Sequence, residues 1–164
     1  MTTISEKIAK LINDQINAEL YSAYLYQEMA DFYFDEKLLG FAKWFDKQAE
    51  EELEHAKKFL DYLRQHGKKV TLKDVKAPKC KLKEIRDGLK IQVEHEELVT
   101  SLIDKIMDQA ILEKDYRTQS FLKWFIDEQV EEESHSAELL EKYDLYGKDL
   151  SLLARLDHEL GERK

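Results

Sequence analysis

Apolar residues return every three or four positions along four long stretches of the chain, the period of an α-helix that buries one face. In the first stretch, about Ser5 to Phe34, the stripe runs Ile8, Ile12, Gln15, Glu19, Ala23, Tyr26, Ala30. In the second, about Lys37 to His66, it runs Phe41, Phe45, Ala49, Glu52, Ala56, Phe59, Leu63, with His55 beside Glu52. The third, about Lys83 to Leu112, reads Ile85, Leu89, Gln92, Glu96, Val99, Ile103, Ile106, Ala110. The fourth, about Asp115 to Tyr146, reads Phe121, Phe125, Glu128, Glu132, His135, Leu139, Tyr143. A short amphipathic segment follows, about 150 to 160. Thr3 and Ser5 are candidate N-caps, Thr3 with Glu6 at capping-box spacing. Gly67 and Gly147 stand where helices two and four should stop.

The connections fix the topology. Helices one and two, and helices three and four, are joined by only a few residues, so each pair predicts an antiparallel hairpin. The link between the hairpins, GKKVTLKDVKAPKCKL, holds the only proline. Its roughly 15 residues reach roughly 50 Å when extended, and a 28-residue helix is roughly 42 Å long, so the link can run the full length of a bundle. The expectation is an all-α chain with one domain over residues 1–164: a four-helix bundle over about 5–146 made of two hairpins, a long crossover, and a tail helix at about 150–160. One proline and five glycines in 164 residues argue against a turn-rich β architecture.

The remaining totals mostly exclude. A formal charge of −9 without a basic tract argues against a nucleic-acid partner. No apolar run approaches a membrane span, and MTTISEKIAKLINDQINAEL reads as amphipathic helix rather than signal peptide. Cys80 is the only cysteine, which rules out an intrachain disulfide or a four-cysteine metal knuckle and fits a reducing cytoplasm. In its loop, Cys80 reads as an exposed thiol without function.

The stripes pose the chemical question, because each carries a glutamate near its midpoint: Glu19, Glu52, Glu96 and Glu132. Mid-helix positions in a bundle of similar helices lie at one height. Two of the glutamates have a histidine three residues on, in Glu52-Leu53-Glu54-His55 and Glu132-Glu133-Ser134-His135. A single Glu-x-x-His is weak evidence in a chain with 35 acidic residues. Four glutamates at matched heights, repeating one plan in both hairpins, are a different matter. Buried carboxylates must be paired or metal-bound, and two divalent cations neutralise four of them. Carboxylate oxygens bridge two ions, and an imidazole one turn along the helix caps one of them. Such ligands suit iron or manganese better than structural zinc.

NAELYSAYLY (17–26), QAEEELEHA (48–56), EHEEL (94–98) and FLKWFIDEQVEEE (121–133) together resemble the bacterial and archaeal non-haem ferritins over essentially the whole chain. Two glutamates plus two Glu-x-x-His pairs are also the known ligand plan of ferritin-like di-iron bundles. The resemblance implies an iron-storage ferritin with ferroxidase activity, taking Fe²⁺ and O₂ as substrates and depositing ferric mineral in a homo-oligomeric shell of 24 subunits. It implies that Glu19, Glu52 and His55 hold one iron, and that Glu52, Glu96 and Glu132 hold the other with Gln129 nearby. It implies a third iron position at Glu51, Glu128 and Glu131, and it sets Tyr26 against the di-iron centre.

His135 departs from the usual ferritin set and resembles the second-iron histidine of bacterioferritin, so it is a candidate ligand that would compete with a third site. Leu53 stands where bacterioferritin has its haem-ligating methionine, so no haem is expected. Trp124 reads as core packing. His66, His95 and His158 read as surface residues, His95 close enough to Glu96 to support the ligand shell.

Two other jobs fit the same residues. A di-iron peroxidase of rubrerythrin type would keep the site, although such proteins usually add a module with two C-x-x-C pairs, which one cysteine excludes. A helical scaffold or accessory subunit would not oxidise iron at all.

Overall fold

The computed structural model describes residues 3–164. Five helices follow in order: α1 (Glu6–Asp35), α2 (Leu39–Gln65), α3 (Ile85–Leu112), α4 (Tyr116–Tyr146) and α5 (Leu150–Gly161). The all-α expectation holds, with helix ends within two residues of those read from the periodicity. Capping at α1 differs: Ser5, not Thr3, is the N-cap and accepts from the Ile8 amide, while Thr3 donates to the His66 carbonyl. Glu6 pairs with Lys68 instead of closing a capping box.

The hairpin loops are built alike. Lys37 and Lys114, each following a glutamate, take the left-handed conformation (φ 66° and 55°). In each loop the next amide closes on a carbonyl five residues back, Leu38 on Tyr33 and Asp115 on Ala110. Gly67 does the same work after α2 at φ 64°, where a glycine avoids the Cβ penalty. The α2–α3 connection, residues 66–84, is a strap laid along α1. Asn13 both donates to the Lys69 carbonyl and accepts from the Thr71 amide, and Lys73 pairs with Asp14. Farther along, Tyr33 donates to the Ile85 carbonyl at 2.6 Å. The strap thus travels from the start of α1 to its end, which makes α2 and α3 parallel.

The tail helix is seated on the start of α2. Leu38, the N-cap of α2, offers no side-chain acceptor. Asp157 of α5 supplies one, its Oδ1 accepting from Gly40 at 2.8 Å and Phe41 at 3.0 Å. Its negative charge meets the positive end of the α2 dipole. Gly40 is required by this crossing, since a Cβ there would lie 1.6 Å from the Asp157 carbonyl oxygen.

Two apolar clusters fill the bundle, one at each end. Ile8, Ile12, Phe59, Ile103 and Phe125 belong to the first; Leu25, Met29, Tyr33, Phe41, Phe45 and Leu89 belong to the second. Between them lies a buried polar layer, and it is the layer that needs explaining. Among the described residues, no helix is long and apolar enough to cross a membrane.

Candidate metal centre

The layer is supplied by all four long helices. Glu19, Glu52, Glu96 and Glu132 are each at most 5% exposed, and His55 is 4% exposed. No lysine or arginine is buried among the described residues. The carboxylates therefore face one another with no permanently charged cation beside them. Glu19, Glu52 and His55 present ligand atoms all within 4.8 Å of one another. His55 Nδ1 lies 3.1 Å from Glu52 Oε2 and 4.0 Å from Glu19 Oε2.

Glutamines supply the donors that basic residues do not. Gln15 Nε2 donates to Glu19 Oε1 at 2.8 Å, Gln48 Nε2 to Glu132 Oε2 at 2.9 Å, and Gln129 Nε2 to Glu96 Oε2 at 3.2 Å. The Tyr26 hydroxyl donates to Glu96 Oε1. Three helices carry the same Gln-x-x-x-Glu spacing, Gln15/Glu19, Gln48/Glu52 and Gln92/Glu96. The donor role of Gln15 and Gln48 was not read from sequence, although this spacing was there to be seen. Glu19 Oε2 and both polar atoms of the Gln92 amide have no partner. Orphaned buried acceptors beside clustered carboxylates fit a cation.

Electrostatics point the same way. Burial, then the neighbouring carboxylates, raise Glu19 well above the ordinary carboxylate range. Burial does the same to Glu52, and pushes Glu96 up to about 6 and Glu132 up to about 7. A layer that takes up protons to relieve its own repulsion is one in which divalent cations displace those protons.

Four sequence expectations need correction. His135 is exposed, so a ligand role at the buried centre does not fit it. The buried line on α4 is Leu122, Phe125, Gln129, Glu132, Ser136, Leu139, which leaves Glu132 by a step of four and passes His135 by. His95 is buried rather than at the surface. It lies 2.7 Å from Ser22 Oγ and edge-on to the Tyr26 ring, and burial pushes it down to about 4, leaving it neutral. Trp124 is 41% exposed, with the Lys58 ammonium over its face and its ring edge-on to His55. Cys80, expected exposed, is half-buried; burial and a bond to Glu28 push its thiol up to about 11. The third-position residues are dispersed in character: Glu51 and Glu128 half-buried, Glu131 exposed. Leu53 is exposed on the outer face of α2, in a groove with Leu20, Ala23, Tyr24 and Val75.

With this geometry in view, comparison with known proteins is decisive. The ferritin-like domain family matches residues 9–146. The chain belongs to the ferritin family. A bacterial non-heme ferritin of Campylobacter jejuni is 35% identical over 144 residues, 88% of this chain and 86% of that protein. A probable bacterial non-heme ferritin-like protein of Haemophilus influenzae is 35% identical over 158 residues, 96% of each chain. An open-pore ferritin from the archaeon Archaeoglobus fulgidus superposes over the whole of both chains with a TM-score of 0.97 at 41% identity. Iron binding and storage come with membership of this family. Its structural neighbours are ferritins, and this chain shares their fold.

Proposed function

We propose that this ferritin is a storage ferroxidase: it oxidises Fe²⁺ with O₂ at a two-iron centre inside each chain and releases Fe³⁺ as mineral into a shell. The observation that carries the reading is the buried layer of four glutamates and His55, which holds no lysine or arginine among the described residues and leaves Glu19 Oε2 unpartnered. In this reading Glu19, Glu52 and His55 take one ion, and Glu52, Glu96 and Glu132 take the other, with Glu52 between them. Gln129 and Tyr26 orient Glu96, and Gln48 orients Glu132. The protein fixes the separation of the ions and compensates their charge, while O₂ accepts the electrons.

Storage further requires a closed assembly, for which we propose 24 copies of this one-domain chain and a cytoplasmic setting. The groove around Leu53 and Tyr24 is apolar surface that assembly would cover. The peroxidase alternative keeps the centre but needs no shell.

Aerobic oxidation of anaerobically loaded Fe²⁺, paired with size exclusion, separates these readings. Fast oxidation of the first two ions per chain in a large particle that then takes up far more iron is the expected result, with the fast phase lost in Glu52→Ala. A particle of one or two chains without mineral growth would overturn the storage reading. Oxidation no faster than in protein-free buffer would overturn the ferroxidase.

A further inference from the structure

His95 and Glu96 are consecutive residues of α3, and each is bonded to a buried residue of α1. His95 Nε2 lies 2.7 Å from Ser22 Oγ, and Glu96 Oε1 accepts from the Tyr26 hydroxyl. Ser22 and Tyr26 are fully buried and four residues apart, so they stack on one face of α1. Glu19 precedes Ser22 by three residues on that same face. Turn by turn, α1 therefore presents a carboxylate of the layer, a hydroxyl bonded to His95, and a phenol bonded to Glu96.

Counting hydrogens assigns the direction of the first bond. A serine hydroxyl has one hydrogen, and Ser22 Oγ already donates it to the Ala18 carbonyl at 3.0 Å. Ser22 Oγ is therefore the acceptor, and His95 Nε2 carries the hydrogen and donates across the helix interface. Aromatic contacts fix the plane of the imidazole. Its ring centroid lies 5.8 Å from that of Tyr26, edge-on, and 6.0 Å from that of Tyr21, so two rings of α1 grip it. The two cross-helix bonds, Ser22 to His95 and Tyr26 to Glu96, set both the height of α3 against α1 and its rotation. Rotation matters most. At the 5–6 Å radius of a helix surface, a turn of ~20° carries a side-chain tip about 2 Å. A metal–oxygen distance tolerates only ~0.2 Å.

We propose that the Ser22–His95 bond is a clamp that aims Glu96, and so sets how tightly the ion at Glu52, Glu96 and Glu132 is held. The inference rests on the two-metal reading above and adds what keeps the two halves of the centre in register. Ser22 and His95 are positioning residues that act through the placement of Glu96. The ion at Glu19, Glu52 and His55 draws its ligands from α1 and α2, so it is independent of how α3 turns. The hydrogen on Nε2 is the feature required. Glutamine, whose Nε2 amide reaches about as far, can replace His95, whereas phenylalanine keeps only the ring.

The test is calorimetric titration of metal-free protein with Zn²⁺, a redox-inert probe, so no turnover is involved. Wild type and His95→Gln should each bind at least two tight equivalents per chain. Ser22→Ala and His95→Phe should hold one of these roughly 10–100-fold more weakly. Ser22→Ala removes a single oxygen and serves where His95→Phe does not fold. Glu96→Gln should lose the same equivalent, and Ser22→Ala/Glu96→Gln no more than Glu96→Gln alone. Unweakened binding in Ser22→Ala, additive losses in the double variant, or equal loss in His95→Gln and His95→Phe would overturn the inference while leaving the centre standing. Fewer than two tight equivalents in the wild type would overturn the two-metal reading and this one with it.

Discussion

Stripped of divalent metal, the protein should become less stable as pH rises from 4.5 to 8, the reverse of ordinary acid denaturation. The four glutamates cause this. Their folded-state affinities for protons are raised above those of the unfolded chain, so in this window the folded state binds more protons. Stability from such groups is complete below the unfolded value, near 4.5, and is lost as pH climbs through the folded values. For Glu96 and Glu132 those lie at about 6 and about 7. At ~1.4 kcal/mol for each pH unit, these two carboxyls alone cost the metal-free fold on the order of 5 kcal/mol by pH 8. That is a large share of the ~5–15 kcal/mol typical of a folded domain. His95, held down at about 4, acts in the opposite sense between pH 4.5 and 6.5 and returns on the order of 3 kcal/mol, so the net fall in Tm for a chain of this size is roughly 5–10 °C. Glu19 and Glu52, raised further by burial, act in the same direction. The assay is a series of thermal melts of chelator-treated protein at fixed concentration from pH 4.5 to 8, repeated with saturating Zn²⁺. Metal should cancel or reverse the slope, since it binds the deprotonated layer. A flat or rising metal-free Tm would refute the reasoning, because it would mean the layer carries no net repulsion.

Two further predictions use the same molecule. Gln48→Leu removes the amide from Glu132 and should weaken metal binding by roughly 10–100-fold, whereas His135→Ala should leave it unchanged; titration calorimetry reads both, and the opposite ranking would mean that α4 turns His135 inward. Gly40→Ala drives a Cβ into the Asp157 backbone and breaks the cap on α2. Its cost should be about 3 kcal/mol in urea unfolding, the scale of a lost charge-assisted bond with local overpacking, and a cost below about 0.5 kcal/mol would show that α5 yields freely.

Local periodicity made the helices and the level of the four glutamates legible. Glu19, Glu52 and Glu96 fall on stripes whose apolar members leave one rotation for each helix. On α4 the same reasoning ran the stripe from Glu132 to His135, whereas the buried line goes to Ser136. The choice depends on how α4 turns against α2, and that is set by ring stacking of Phe59 on Phe125 and Tyr62 on Phe121. No window of sequence contains those pairs. The same limit hid His95, whose burial depends on Ser22 in another helix, and the attachments of the tail. Asp157 reaches back 117 residues to cap α2, and Arg163 reaches back 112 to Glu51. Gln15 stood in the first stripe and Gln48 beside the second, but a buried glutamine acquires meaning only beside the oxygen it serves.

The strap along α1 gives the molecule two electrical faces. Residues 66–84 hold seven lysines against Asp74 and Glu84, a formal +5 that leaves −14 on the rest of a chain totalling −9. Pairing with Glu6 and Asp14 fastens two of those lysines down, so the positive band is held in place. The field of the protein is therefore strongly dipolar as well as acidic. At low ionic strength dissolved ferrous ions are turned away from the strap and gathered toward the acidic remainder, an effect that salt removes within a Debye length of ~10 Å at 0.1 M. The segment with the least regular structure thus shapes the field around the whole chain.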